Sequence, residues 1–297
     1  MIIAKYGAID IGSNAIRLLV ANVIEENGKE TQFKKSSLIR LPIRLGADVF
    51  VNGVISEENT SRIVDALNAF KLIMKIHGVS KYKACATSAM REALNGKEIT
   101  NKIFKETQVE IEIIDGKKEA AIISSTDLSQ LISSENAYLY VDVGGGSTEF
   151  TLFSKGKIIH SKSFKIGTVR LINNKKSDNA QLFKKVQDWI EQTTSKHKRI
   201  CLIGSGGNIN KLFKLSGKEP GKPISYIYLH AQYQFLKKMT YSQRISELGM
   251  NPDRADVIIP ATKIYLSAMK WSGARKIFVP KIGLSDGIIK SLYYSKL

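Results

Sequence analysis

Two stretches of the sequence place the same residue types in the same order at the end of an apolar strand. In YVDVGGGSTEF, residues 140–150, the strand delivers Asp142, then Gly144, Gly145, Gly146, Ser147, Thr148 and Glu149. In AIDIGSNAIRLLV, residues 8–20, it delivers Asp10, then Gly12, Ser13 and Asn14. A glycine turn lets backbone N–H groups come close to a phosphate, because no Cβ intervenes. The hydroxyl and amide side chains add further donors. An aspartate repels phosphate, but it can hold Mg²⁺, or Mn²⁺ in its place, and the cation then neutralises phosphate oxygens. Asp10 and Asp142 therefore read as metal ligands and the residues after them as a phosphate cradle. A third loop, Gly204-Ser205-Gly206-Gly207, opens a helix and offers its N-terminus to an anion. A single loop of this kind reads equally well as a tight hairpin. Two matched D-[IV]-G loops and a third are harder to explain by turns alone. None fits the P-loop or the dinucleotide-binding glycine pattern.

The elements that carry these loops alternate. Strands are expected over 2–11, 16–25 and 36–45. Ser56 then caps a helix to about His77, with Ile63, Leu67, Phe70 and Met74 at three- and four-residue spacing. A strand KACAT, a helix opening at SAMREALN, a strand VEIEII over 109–114 and a helix near Lys117 follow. At Ala137 the pattern restarts as AYLYVD, TEFTLF and KIIHSKSF. Next come a basic helix over about 180–197, a strand RICLIG, the GSGGN loop with its helix, a mostly helical stretch, a strand KIFVP and a final helix. This is the order of an α/β protein. Superposing Asp10 on Asp142 suggests an internal duplication. The expected domains are 1–118 and 119–297, with a final helix over about 284–297 returning to the first.

The 297 residues include 43% hydrophobic side chains, enough for two packed cores. No basic leader with an apolar core and no run of about 18 apolar residues occurs, so a cytoplasmic protein without a membrane span is expected. Cys85 and Cys201 read as buried thiols, and with four scattered histidines they offer no zinc spacing. The net charge of +18 is uneven. Residues 1–120 hold 18 Lys and Arg against 15 Asp and Glu, whereas 121–297 hold 27 against 12. A polyanionic partner and a lysine-rich solvated surface account for this equally well.

The two D-[IV]-G stretches resemble the phosphate motifs of the actin/Hsp70/sugar-kinase ATPase superfamily. ACATSAMREALN (84–95), IIDGKKEAAII (113–123) and NPDRADVIIPA (251–261) resemble, within it, the exopolyphosphatase / guanosine pentaphosphate phosphohydrolase family. The resemblance covers nearly the whole chain. It implies two ribonuclease-H-like domains related by duplication, an active-site cleft between them, and hydrolysis of phosphoanhydride bonds with a divalent metal. It also implies roles for particular residues. Arg91 matches the phosphate-contacting arginine, Glu119 the general base and Glu149 a second active-site carboxylate. Arg170 and Arg254 match positions of the family pattern and read as structural. One departure stands beside Glu119: the family has an acid where this chain has Lys118. Longer members carry a further helical region, so shorter polyphosphate chains are the expected substrates here.

The leading expectation is thus a phosphohydrolase. Its substrate would be inorganic polyphosphate or guanosine pentaphosphate, related to the tetraphosphate of the stringent response, and its assembly a homodimer. The alternatives are a non-catalytic polyphosphate or alarmone sensor of the same fold, and a nucleotide phosphatase or ATPase of the superfamily. A nucleic-acid binder has only net charge in its favour, since few aromatics interleave the basic runs.

Overall fold

The computed structural model describes residues 1–124, 126 and 136–294. It consists of two compact units, Met1–Thr126 with Leu284–Leu297, and Asp127–Gly283. The last three residues of the expected final helix, 295–297, lie outside the described residues.

The first unit holds β1 (Ile2–Ile11), β2 (Ile16–Glu25), β3 (Gln32–Leu41), α1 (Leu45–Asn52), α2 (Glu57–His77), β4 (Lys81–Ala86), α3 (Ser88–Glu92), α4 (Gly96–Thr107), β5 (Ile111–Ile113) and α5 (Gly116–Ser124). Its sheet has the order β3-β2-β1-β4-β5; the first three strands are antiparallel, and β4 and β5 are parallel to β1. Ser56 caps α2 by accepting from the Asn59 N–H at 3.2 Å. Glu57 and Glu58 sit in the first turn, Lys75 and His77 in the last, and Gly78 closes the helix at φ 68°. The expected apolar stripe, Ile63, Leu67, Phe70 and Met74, is buried in the core with Ile9, Ile11, Leu18 and Val20 of the sheet. The third strand differs from expectation at both ends, beginning at Gln32 instead of residue 36. β3 ends at Leu41, ahead of Pro42, which supplies no N–H to a ladder, and Leu45 opens a helix instead of closing a strand.

The second unit holds β6 (Ala137–Val143), β7 (Thr148–Ser154), β8 (Lys157–Phe164), α6 (Thr168–Asn173), α7 (Lys176–Thr194), β9 (Ile200–Ser205), α8 (Gly207–Leu215), β10 (Ile224–Ser225), α9 (Tyr226–Lys238), α10 (Tyr241–Ser246), α11 (Pro252–Ala255), α12 (Ile258–Ser272) and β11 (Lys276–Phe278). The sheet order is β10-β11-β9-β6-β7-β8. The chain then passes to α13 (Leu284–Tyr293), part of the first unit. There Gly287 lies so close to α5 that an added Cβ would stand 2.2 Å from the Ile122 carbonyl oxygen.

Both sheets run through the same order and sense, with β10 added at one edge of the second. The correspondence reaches single hydrogen bonds. The turn after β1 closes with Gly12 N–H donating to Ala15 O at 3.1 Å, and the turn after β6 with Gly144 N–H donating to Ser147 O at 3.0 Å. The antiparallel register shifts between Val20 and Ala21 in one sheet and between Leu152 and Phe153 in the other. These features repeat at the same 132-residue offset that relates Asp10 to Asp142. The fold is therefore a pair of ribonuclease-H-like units related by duplication.

Candidate active site

In the first unit, Asp10 ends a buried strand and is 3% exposed. Its cross-strand partners are Arg17 on β2 and Cys85 on β4. The Arg17 guanidinium donates to Asp10 Oδ2 at 2.6 Å. Burial, with Glu112 and Asp10 nearby, pushes the Cys85 thiol up to about 12. The Gly12-Ser13-Asn14 turn is tied down by Gly46, whose N–H donates to Ser13 O at 2.8 Å.

β4 leads through Thr87 into α3, which carries Arg91. Arg91 Nη1 donates to the Ile114 carbonyl at 2.6 Å and stands 3.9 Å from Glu119 Oε2. Glu119 lies in the first turn of α5, 7% exposed. The structure thus brings Arg91 and Glu119 together. Lys118 turns the other way: its ammonium pairs with Glu112, which also meets Lys83 Nζ at 3.0 Å. Partial burial raises the Glu112 carboxyl, but the two lysines outweigh it and hold the group below its usual range. The residue that departs from the family pattern is therefore engaged with Glu112.

In the second unit, Asp142 sits on the central strand, paired in register with Glu149 on β7 and Ser205 on β9. Glu149 is 2% exposed, and its Oε1 accepts from the Ser147 hydroxyl at 2.7 Å and the Ser163 hydroxyl at 2.8 Å. The Thr148 hydroxyl donates to the Ile166 carbonyl. Of the expected phosphate donors, Ser147 and Thr148 thus direct their hydroxyls inward, which leaves the turn's backbone as its donor surface.

That backbone is oriented by α6. The Thr168 N–H donates to Gly144 O at 3.0 Å, and the N–H groups of Val169 and Arg170 to Gly145 O at 2.9 and 3.1 Å. Arg170 Nε donates to Gly146 O at 2.9 Å. The carbonyls of all three glycines are consumed by the start of one helix, whose first N–H groups otherwise lack partners. Among the described residues no hydrogen bond takes the N–H of Gly145 or Gly146. Gly167, just before α6, permits this contact: a Cβ there would lie 2.4 Å from Gly145 O and from the Gly146 carbonyl carbon.

The third loop is built similarly. Gly206 takes φ 108°, a conformation that favours glycine. A Cβ on it would meet Val143 O at 3.1 Å, and Asp142 Oδ1 and the Tyr265 hydroxyl each at 3.5 Å. Tyr265, fully buried on α12, donates to the Ser205 carbonyl. Arg254 Nη1 donates to the Gly207 carbonyl at 2.8 Å. Arg170 and Arg254 each therefore hold the backbone of a glycine loop. Gly167, Ser163, Tyr265 and Arg17 were not singled out in the sequence. For Arg17 a signal was available, since it follows Asp10 by seven residues as Glu149 follows Asp142.

The family model described as the Ppx/GppA phosphatase family matches residues 37–296. The chain belongs to this family. It is 31% identical over 308 aligned residues to a bifunctional 3-dehydroquinate synthase/phosphatase of Fusobacterium nucleatum, an alignment covering 92% of this chain and 44% of that protein. The chain thus spans less than half the length of that relative. It is 22% identical to exopolyphosphatase 1 of Mycobacterium tuberculosis, over 96% of this chain and 87% of that one. Among solved structures, an exopolyphosphatase from Cytophaga hutchinsonii superposes with a TM-score of 0.87 at 25% identity, covering 98% of both chains.

A divalent metal can be tested against the donor set. Among the described residues no group of three or more His, Cys, Asp or Glu side chains forms a metal cluster. Asp10 already gives one oxygen to Arg17. Asp10 and Asp142 each offer carboxylate oxygen, the ligand type that a hard cation such as Mg²⁺ takes.

Proposed function

We propose that the protein hydrolyses phosphoanhydride bonds, releasing the terminal phosphate of inorganic polyphosphate, with the 5′ γ-phosphate of guanosine pentaphosphate as a second substrate. One observation carries this reading: α6 consumes the carbonyls of Gly144, Gly145 and Gly146 and leaves the Gly145 and Gly146 N–H groups to receive phosphate oxygens. Family membership and the exopolyphosphatase relatives agree with it.

On this reading Gly12, Ser13 and Asn14, the second glycine turn and the Gly204-Ser205-Gly206-Gly207 loop orient phosphates. Asp10 and Asp142 would hold Mg²⁺, or Mn²⁺, which supplies charge neutralisation to phosphate oxygens when bound. Glu119 accepts a proton from the water that attacks the terminal phosphorus; the new P–O bond forms as the anhydride P–O bond breaks, the shortened chain departs with the bridging oxygen and its electron pair, and orthophosphate is released. Arg91, with Nη1 3.9 Å from Glu119 Oε2, stands beside the proposed base. Glu149, whose Oε1 accepts from two hydroxyls, is held in register beside Asp142. Lys118 was one of two grounds for a binding-only relative, the other being the further helical region of longer members, and that side chain is paired with Glu112.

No helix among the described residues is long and apolar enough to cross a membrane. Both cysteines are unbridged, which fits a reducing compartment. The test is orthophosphate release from polyphosphate with Mg²⁺, abolished in Glu119→Ala. Absence of release from polyphosphate and from guanosine pentaphosphate, across chain lengths and metals, would overturn the reading.

A further inference from the structure

The glycine turns do not account for where the second unit's positive charge collects. A recess of about 480 Å³ opens at the other end of the β6–β7 hairpin, where Ala137 pairs with Ser154 and the Ala137 N–H donates to Arg199 O at 3.1 Å. The active turn joins Val143 to Thr148. The recess is therefore six residue steps away along β6, about 20 Å at the usual rise of a strand.

Five of its eight lining residues are Lys155, Lys196, His197, Lys198 and Arg199, and none is acidic. Among the described residues the side chains of the three lysines and Arg199 make no hydrogen bond or ion pair. Four like charges around one concavity repel one another, and an anion between them relieves that repulsion. The backbone adds a second sign of construction. Lys155-Gly156 is the two-residue turn joining β7 to β8, with φ of 51° and 74°. Turns of this kind take Asn, Asp or Gly at the first position, and a lysine held there bears a conformational cost.

The lining also narrows the ligand. It contains no Phe, Tyr, Trp or large apolar side chain, so apart from the His197 ring and the Arg199 guanidinium no flat or apolar face is offered to a base. We propose that this recess is a second anion site, at the opposite end of β6 from its glycine turn, that binds a short inorganic oligophosphate through charge alone. The inference rests on the proposed function only in that such chains would be substrates or products of the same protein.

The site can be read without turnover. In the 297-residue Glu119→Gln chain, tripolyphosphate is titrated while the ring resonances of the four histidines are followed by NMR, with His197→Gln giving the assignment. His197 is expected to move saturably while His230 stays in place. In the Lys196→Ala/Lys198→Ala double variant the His197 titration should weaken by about tenfold or more. On a Glu119-intact background that pair of substitutions should leave kcat/KM on short chains within about threefold, since neither residue belongs to the active turns. A His197 signal that does not respond, or that titrates identically in the double variant, would overturn the site. ATP binding at His197 at least about tenfold tighter than tripolyphosphate would overturn the inorganic class. A failure of hydrolysis would leave this titration unchanged, so the two readings fail separately.

Discussion

Gly167→Ala adds one methyl group at a position no catalytic scheme includes, yet the structure gives it a large effect. Gly167 has φ −137°, a backbone conformation any residue adopts, so the substitution carries no torsional strain. Its cost is steric. The new Cβ would lie 2.4 Å from Gly145 O, 2.4 Å from the Gly146 carbonyl carbon and 2.5 Å from the Gly145 carbonyl carbon. Ordinary contact at these atoms begins about 1 Å farther out. The atoms in the way are backbone, so no side-chain rotation relieves the overlap. The loop must retreat by about that distance, and the hydrogen bonds from Thr168, Val169 and Arg170 must stretch with it. Overpacking of this kind costs about 1–3 kcal/mol of stability. A displacement of about 1 Å in groups that orient a substrate can cost about 100-fold in rate. The assay is orthophosphate release from polyphosphate at matched concentrations of folded protein, with thermal unfolding measured in parallel. Gly283→Ala is the control, because its methyl would meet nothing closer than Ser205 Oγ at 3.9 Å. The expected result is a melting temperature lowered by several degrees and kcat/KM lowered by about 30–100-fold, against near wild-type control behaviour. Wild-type stability with kcat/KM within about threefold would refute the argument that α6 holds the turn in its working shape.

Four further outcomes follow from the same geometry. Tyr265→Phe leaves the Ser205 carbonyl without its donor in a buried place, so a loss of about 1–3 kcal/mol is expected in urea unfolding. Arg17→Ala releases one oxygen of Asp10, and Mg²⁺ measured by calorimetry in the presence of a non-hydrolysable polyphosphate analogue should bind more tightly; weaker binding would contradict the pairing as a competitor. Glu112 has a folded-state value below its unfolded one. The stability it contributes is present above the unfolded carboxyl value, about 4.3, and fades as pH falls through the lowered folded value. Unfolding of Glu112→Gln between pH 3 and 7 should therefore show a shallower acid loss than the wild-type chain. Burial and neighbouring acids hold the Cys85 thiol at about 12, so a thiol-alkylating reagent at pH 8 should leave it unmodified in the native protein, and rapid modification would refute its placement.

Much of this protein follows from short-range pattern. Alternating apolar residues and glycine turns placed β1, β2, β6 and β7, and Ser56 marked the start of α2 at its observed cap. The D-[IV]-G repeat announced a duplication that the sheets then carried down to matching turns and register shifts. Where local pattern was ambiguous it misled: the apolar run across Pro42 read as one strand, although proline interrupts the ladder and α1 begins three residues later. Residue type alone proposed Ser147 and Thr148 as phosphate donors without giving the direction of their hydroxyls, which depends on which acceptor packs nearest. Only the tertiary structure brings the Ile166 carbonyl to the Thr148 hydroxyl, turns Lys118 toward Glu112, and sets Gly167 against the backbone of a loop more than twenty residues earlier in the chain. The reason is physical. The sequence by itself determines which groups exist and the local conformations they prefer. Which carbonyls are consumed, and so which N–H groups remain for a ligand, is decided by contacts between elements distant along the chain.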